Sequence, residues 1–191
     1  MPLVLHRECP HCRWELQESR GDVAILDAYL LLPPLTVPRS EVEQAISRVR
    51  DSYLKPFVEW AGLGEGSAPL DDDEAFRERV LHLRCYLAEP DKPSKKLIQR
   101  LKRVSLLHQY LVRFLEGQMT GVELDRAVKP ICRELASVAP ELHPLLYSIA
   151  EQMSLVGENS PEPPEKLHAE LLENCREWVC RLHGYWRALL G

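Results

Sequence analysis

The final segment of the chain, residues 164–190, carries the pattern that most constrains the fold. Its large apolar residues recur at intervals of three and four. At about 100° per residue they therefore fall on one side of a helix. They are Leu167, Leu171, Trp178, Leu182, Tyr185, Trp186 and Leu189. A helix with this face must bury it, so the segment predicts a long helix packed against other helices. Cys175 falls on the same face and is predicted to be a small core residue.

Shorter segments with the same periodicity fill most of the remaining chain, separated by proline and glycine. Capping boxes at Ser40/Glu43 and Thr120/Glu123 mark two helix starts, and Ser94 caps a third. The pattern predicts an all-α fold, a helical bundle of about seven helices. Residues 3–17 alternate partially and are compatible with a short N-terminal hairpin. We expect one helical domain over residues 1–191, with flexible connections at 62–70 and 157–165.

Composition and charge limit the classes of protein and the cellular compartments that fit the chain. The net charge of −5 argues against a protein that coats nucleic acid with its whole surface. No apolar run approaches the roughly 18–20 residues that span a bilayer, and the N-terminus has no secretory-signal pattern. These features predict a cytoplasmic protein without a membrane partner, in which all six cysteines are reduced.

The stretch ECPHCRWEL places Cys9 and Cys12 at the spacing of a zinc knuckle. A structural zinc needs four ligands, so two cysteines are half of a site. Cys180 and His183 lie at i and i+3 on the last helix, off the centre of its core face, and would complete a Cys3His set. The sequence thus predicts one structural zinc at Cys9, Cys12, Cys180 and His183. Two alternatives stay open, namely a metal-free turn and a redox dithiol.

A second candidate site is the basic segment KPSKKLIQRLKRV, residues 92–104, which contains no acidic residue. Its apolar residues cover one side of a helix, and its basic residues form a stripe on the other side. The predicted polyanion-binding residues are Lys92, Lys95, Lys96, Arg100, Lys102, Arg103 and Arg113. Lysines in the first turn of a helix oppose its dipole, which makes an anion site a natural interpretation. The alternative is a solvated face that DDDE (71–74) of a neighbouring helix neutralises. His108 falls on the apolar side and is predicted to be a hydrogen-bonded core residue.

Motifs that the chain lacks bear on its function. It has no Walker loop, no dinucleotide-binding glycine motif, no H-E-x-x-H and no G-x-S-x-G. The sequence therefore favours a non-catalytic accessory or adaptor subunit, whose basic stripe docks an acidic protein or nucleic acid. One alternative is a nucleic-acid-binding subunit of a larger complex, stabilised by the zinc. Another alternative is a helical enzyme without a recognisable motif.

Overall fold

The computed structural model describes residues 7–9, 11, 15–16, 21–31, 37–53, 73–89, 93–156 and 164–190. Over these residues the chain forms seven α-helices, one 3-10 turn and one short antiparallel ladder. The helices are α1 (Asp22–Leu31), α2 (Arg39–Tyr53), α3 (Asp73–Ala88), α4 (Lys95–Leu115), α5 (Gly121–Val138), α6 (His143–Leu155) and α7 (Pro164–Leu190); the 3-10 turn is Pro140–Leu142. The prediction of an all-α fold with about seven helices is confirmed.

The N-terminal hairpin is a ladder of two residues from each strand, β1 (Arg7–Glu8) and β2 (Glu15–Leu16). Its register pairs Arg7 with Leu16 and Glu8 with Glu15. Cys9 follows β1 directly and is fully buried. The ladder therefore brings the two sides of the Cys9–Cys12 stretch together as the sequence suggested, although Cys12 lies outside the described residues.

Helix starts follow the capping predictions at two of three positions. The Thr120 hydroxyl accepts from the Glu123 N–H, and the Glu123 carboxylate accepts from the Thr120 N–H, which forms the predicted capping box. The Ser94 hydroxyl accepts from the Leu97 N–H at 3.0 Å. The box at Ser40 is wrong, because α2 begins at Arg39, so Ser40 lies inside the first turn instead of capping it. There Pro38 precedes the first turn, and its carbonyl accepts from the Glu41 N–H at 3.0 Å.

The chain divides into two compact units, Met1–Cys9 with Trp14–Ile98, and Pro10–Arg13 with Gln99–Gly191. In the first unit the apolar helix α1 carries two acids, Asp22 in its first turn and Asp27 in its middle. The Arg84 guanidinium of α3 donates to Asp27 at 2.6 Å. Arg77, also of α3, donates to the carbonyls of Tyr29 and Leu30 at the end of α1. Since the last carbonyls of a helix have no partner inside it, Arg77 supplies one; its burial lowers the pKa of this guanidinium to about 10.

The second unit is built on the apolar faces of the later helices. Its largest fully buried side chains are Leu101, Leu107, Leu111, Phe114, Leu124, Leu135, Trp178 and Trp186. Cys175 is fully buried as predicted, and burial raises the pKa of its thiol to about 12. At neutral pH such a thiol stays protonated and unreactive.

The structure describes little of the two predicted flexible connections. The connection at 62–70 lies outside the described residues, as does most of the connection at 157–165. Pro164 and Glu165 belong to the first turn of α7. Among the helices that the structure describes, none combines the length and the apolar character needed to cross a bilayer.

Candidate interaction surface

Helix α4 presents two sides of opposite character. The Ser94 hydroxyl fixes its start, and a buried apolar side packs into the protein, with Leu97, Leu101, Val104, Leu107, Leu111 and Val112. The opposite side exposes Lys95, Lys96, Lys102 and Arg113. Lys92, the seventh residue of the predicted set, lies outside the described residues. The sequence pattern therefore predicted correctly which side of this helix is apolar and which is charged.

Two arginines of the predicted stripe make contacts inside the protein. Arg100 donates from Nε to the Val138 carbonyl at 2.5 Å and from Nη1 to Glu141 at 3.1 Å. Arg103 forms an ion pair with Glu134 of α5. Val138 is the last residue of α5, so the Arg100 cation lies where the dipole of that helix favours positive charge. These two side chains fasten α4 to the end of α5, and the exposed part of the stripe is left to the lysines and Arg113.

Two arginines of the stripe pair with acids of the later helices: Arg100 with Glu141 and Arg103 with Glu134. Of the segment DDDE (71–74), Asp71 and Asp72 lie outside the described residues. Asp73, the first residue of α3, instead accepts from Arg39 at 2.9 Å. Glu141 also accepts from the Tyr185 hydroxyl at 2.9 Å. Burial and the Glu141 carboxylate raise the pKa of Tyr185 to about 12.

The predicted zinc ligands lie in different surroundings. Cys9 is buried, Cys12 lies outside the described residues, Cys180 is exposed and His183 is fully buried. The part of the chain that the structure describes contains no group of three or more histidine, cysteine or acidic side chains able to hold a metal. The four-ligand set stays a prediction, because one of its two knuckle cysteines is not described.

His183 was placed off the centre of the core face, and that placement is wrong. Its Nε2 atom lies 3.0 Å from Nε2 of His108 on α4, and the ring centroids are 5.0 Å apart. One ring must donate and the other accept, so the two imidazoles are opposite tautomers when both are neutral. The prediction that His108 is a hydrogen-bonded core residue is confirmed. Its partner was missed, although both histidines stand among apolar residues of long helices.

His11, inside the knuckle stretch, is oriented toward Glu116, the residue that follows α4. Its Nε2 atom lies 3.8 Å from a carboxylate oxygen of Glu116. Burial lowers the pKa of His11 more than Glu116 raises it, and Arg176 lowers it further. A neutral imidazole at pH 7 follows from this balance, so the contact with Glu116 is a weak one.

Comparison with known proteins adds no relative. No protein-family model, curated protein or solved structure significantly matches the chain. A functional interpretation therefore rests on the residues themselves.

Proposed function

We propose that the chain is a non-catalytic helical accessory or adaptor subunit that binds an acidic partner through the exposed basic residues of α4. The observation that supports this is the one-sided exposure of Lys95, Lys96, Lys102 and Arg113, while the opposite side of the same helix is buried. These four residues are called the basic face below.

The charge balance of the whole chain supports the same proposal. The protein carries a net charge of −5, so a local run of cations stands out against an acidic background. Such a local field guides an acidic surface to one place and orients it, and repulsion from the like charges elsewhere on the acidic protein disfavours other orientations. A basic face on an acidic protein therefore favours binding at one defined surface over non-specific binding.

Binding of a polyanion tests this proposal. Poly-L-glutamate should bind, and changing Lys95 and Lys102 to glutamate should abolish the binding because both side chains are exposed. The unfolding free energy should change by no more than about 1 kcal/mol, since exposed charges contribute little to stability. Fluorescence anisotropy at two salt concentrations measures the affinity. Lys129→Glu on α5 combined with Lys166→Glu on α7 is the matched control, because it reverses the same number of charges at exposed positions of other helices. Wild-type protein that binds neither poly-L-glutamate nor DNA nor RNA at low salt would contradict the proposal.

A nucleic-acid-binding subunit is the second candidate. It is favoured by the lysines in the first turn of α4, beside backbone amides that have no partner within the helix. If about four cations contact phosphates, log K should fall against log salt with a slope of about −3 to −4. Single- and double-stranded DNA and RNA in the same titrations distinguish this candidate from the first.

This second candidate includes a structural zinc held by Cys9, Cys12, Cys180 and His183. Protein purified without chelator should then contain about one zinc per chain. Cys180→Ser should lose most of the metal, as measured by atomic absorption. Cys175→Ser is the control: it should keep the metal but lose stability, because Cys175 is fully buried. Since Nε2 of His183 contacts His108, zinc binding would have to use Nδ1 or displace His108. Metal-free wild-type protein would rule the site out.

A further inference from the structure

Two histidines meet in the core of the second compact unit. His108 of α4 is 1% exposed and His183 of α7 is fully buried. Their Nε2 atoms lie 3.0 Å apart and the ring centroids 5.0 Å apart, so each Nε2 atom is on the side of its ring that faces the other ring. Buried apolar residues stand one helical turn from the pair, namely Val104, Leu111 and Val112 on α4 and Val179 and Trp186 on α7. Two nitrogen atoms therefore converge on one point in an apolar environment.

The separation of these nitrogens fits two ligands of one zinc ion. A Zn–N bond is about 2.0–2.1 Å long, so two nitrogens on a tetrahedral zinc are about 3.3 Å apart. The observed 3.0 Å is close to this value. A direct hydrogen bond between opposite tautomers fits the same distance, so the surroundings of the pair bear on the choice.

The histidine of the knuckle stretch lies beside the same two helices. His11 has its Nε2 atom 3.8 Å from a carboxylate oxygen of Glu116, just after α4, and Arg176 of α7 acts on this imidazole electrostatically. Along the chain, Glu116 and Arg176 are eight and seven positions from the core histidine of their own helix, which is about 11–12 Å. Residues Pro10–Arg13 belong to the same compact unit as Gln99–Gly191. Part of the sequence with metal-ligand spacing therefore belongs to the unit that contains the histidine pair.

We infer that His108 and His183 are the two nitrogen ligands of a structural zinc ion, each binding through Nε2. The inference rests on the zinc of the second candidate function and replaces Cys180 by His108 among its ligands; the basic face of α4 plays no part in it. Cys180 is exposed, whereas His183 is fully buried. With His108 as the second ligand, neither histidine has to bind through its other nitrogen or leave its position.

Charge determines which ligands complete the set. Two neutral imidazoles leave the double positive charge of zinc uncompensated in an apolar core, so anionic thiolates are needed beside them. Among the described residues no third ligand joins the pair. We therefore keep Cys12 as a thiolate ligand, since the sequence predicts it and it lies outside those residues.

Histidine tautomers test the inference on the full-length wild type supplied with one equivalent of zinc. Zinc bound to both Nε2 atoms leaves the proton of each ring on Nδ1, whereas a direct hydrogen bond requires one ring with its proton on Nε2. Long-range ¹H–¹⁵N spectra of histidine-labelled protein identify the tautomer of each ring, and we expect Nδ1–H for both. Opposite tautomers in protein that carries one zinc per chain would overturn the inference. Protein that takes up no zinc would overturn both the inference and the zinc of the second candidate, and would leave the basic face untouched.

Substitutions assign the ligands, with zinc affinity measured by competition with a chromophoric chelator. His108→Gln and Cys12→Ser should each weaken zinc binding at least about ten-fold, since even groups that hydrogen-bond to a zinc ligand contribute about 10–100-fold. Cys180→Ser should bind zinc like the wild type. His168→Gln is the matched control, because it makes the same change at an exposed position of α7. Zinc binding that survives His108→Gln and is lost in Cys180→Ser would overturn the inference and support the set with Cys180. If His108→Gln does not fold, as seen by circular dichroism, the tautomers of the wild type decide.

Discussion

Replacing Trp178 by alanine should lower the unfolding free energy by about 3–5 kcal/mol, because a large aromatic side chain would leave a cavity in the core. Trp178 is 1% exposed, on the apolar face of α7. Its indole N–H donates to the Ser148 hydroxyl of α6 at 3.1 Å. The substitution therefore removes both the packing of two helices and a hydrogen bond between them. Urea denaturation followed by circular dichroism at 222 nm measures the change without relying on tryptophan fluorescence.

Two milder variants distinguish the loss of packing from the loss of the hydrogen bond. Trp178→Phe keeps much of the apolar volume and removes the N–H donor, and Ser148→Ala removes only the acceptor. Each should cost much less than alanine at position 178, since one neutral hydrogen bond contributes about 1 kcal/mol. A cost below about 1 kcal/mol for Trp178→Ala would mean that the apolar face of α7 does not hold this core together.

Removing either charge of the Asp27–Arg84 pair is expected to be similarly severe in the first unit. The Arg84 side chain is 8% exposed and that of Asp27 17%, and their atoms lie 2.6 Å apart. Asp27→Ala leaves a guanidinium almost buried without its carboxylate, which should cost about 3 kcal/mol. Thermal and urea denaturation of the wild type and the variant measure the loss.

Replacing both members of that pair gives the informative comparison. Asp27→Leu with Arg84→Met fills a similar volume without a charge, so its cost should fall to within about 1 kcal/mol of the wild type. Glu170→Ala is the matched control for a surface pair, because Glu170 and Lys166 are both largely exposed and 3.7 Å apart. It should change stability by less than about 0.5 kcal/mol. A double variant as unstable as Asp27→Ala would show that the pair does more than neutralise buried charge.

The helices were predictable because their signals are local. The spacing of apolar residues in α4 and α7 identified the buried sides, and the hydroxyls of Ser94 and Thr120 marked two starts. The start of α2 was missed because the helix begins directly after Pro38, whose carbonyl accepts the first backbone hydrogen bonds, so Ser40 is already inside the first turn. Each of these signals depends on residues that are close together in the sequence.

The candidate site was predictable only in part, for the opposite reason. Exposed and buried sides of α4 follow from its own sequence, but the partners of Arg100 and Arg103 come from residues more than thirty positions away. The same applies to His183, whose contact partner His108 lies on another helix. Helical periodicity gives the direction of a side chain but not its partner, so the sequence did not show that Arg100 and Arg103 make contacts inside the protein.

Glu141 connects two helices in the C-terminal part of the protein. One carboxylate, standing in the 3-10 turn after α5, accepts from Arg100 of α4 and from Tyr185 of α7. Side chains of two helices therefore donate to the same carboxylate. A shift of either helix would move this carboxylate relative to the donor on the other helix. Contributions of Arg100 and Tyr185 to stability are then coupled rather than additive. A displacement of α4 at Arg100 is therefore expected to be transmitted through this carboxylate to α7, so the short turn links the two helices.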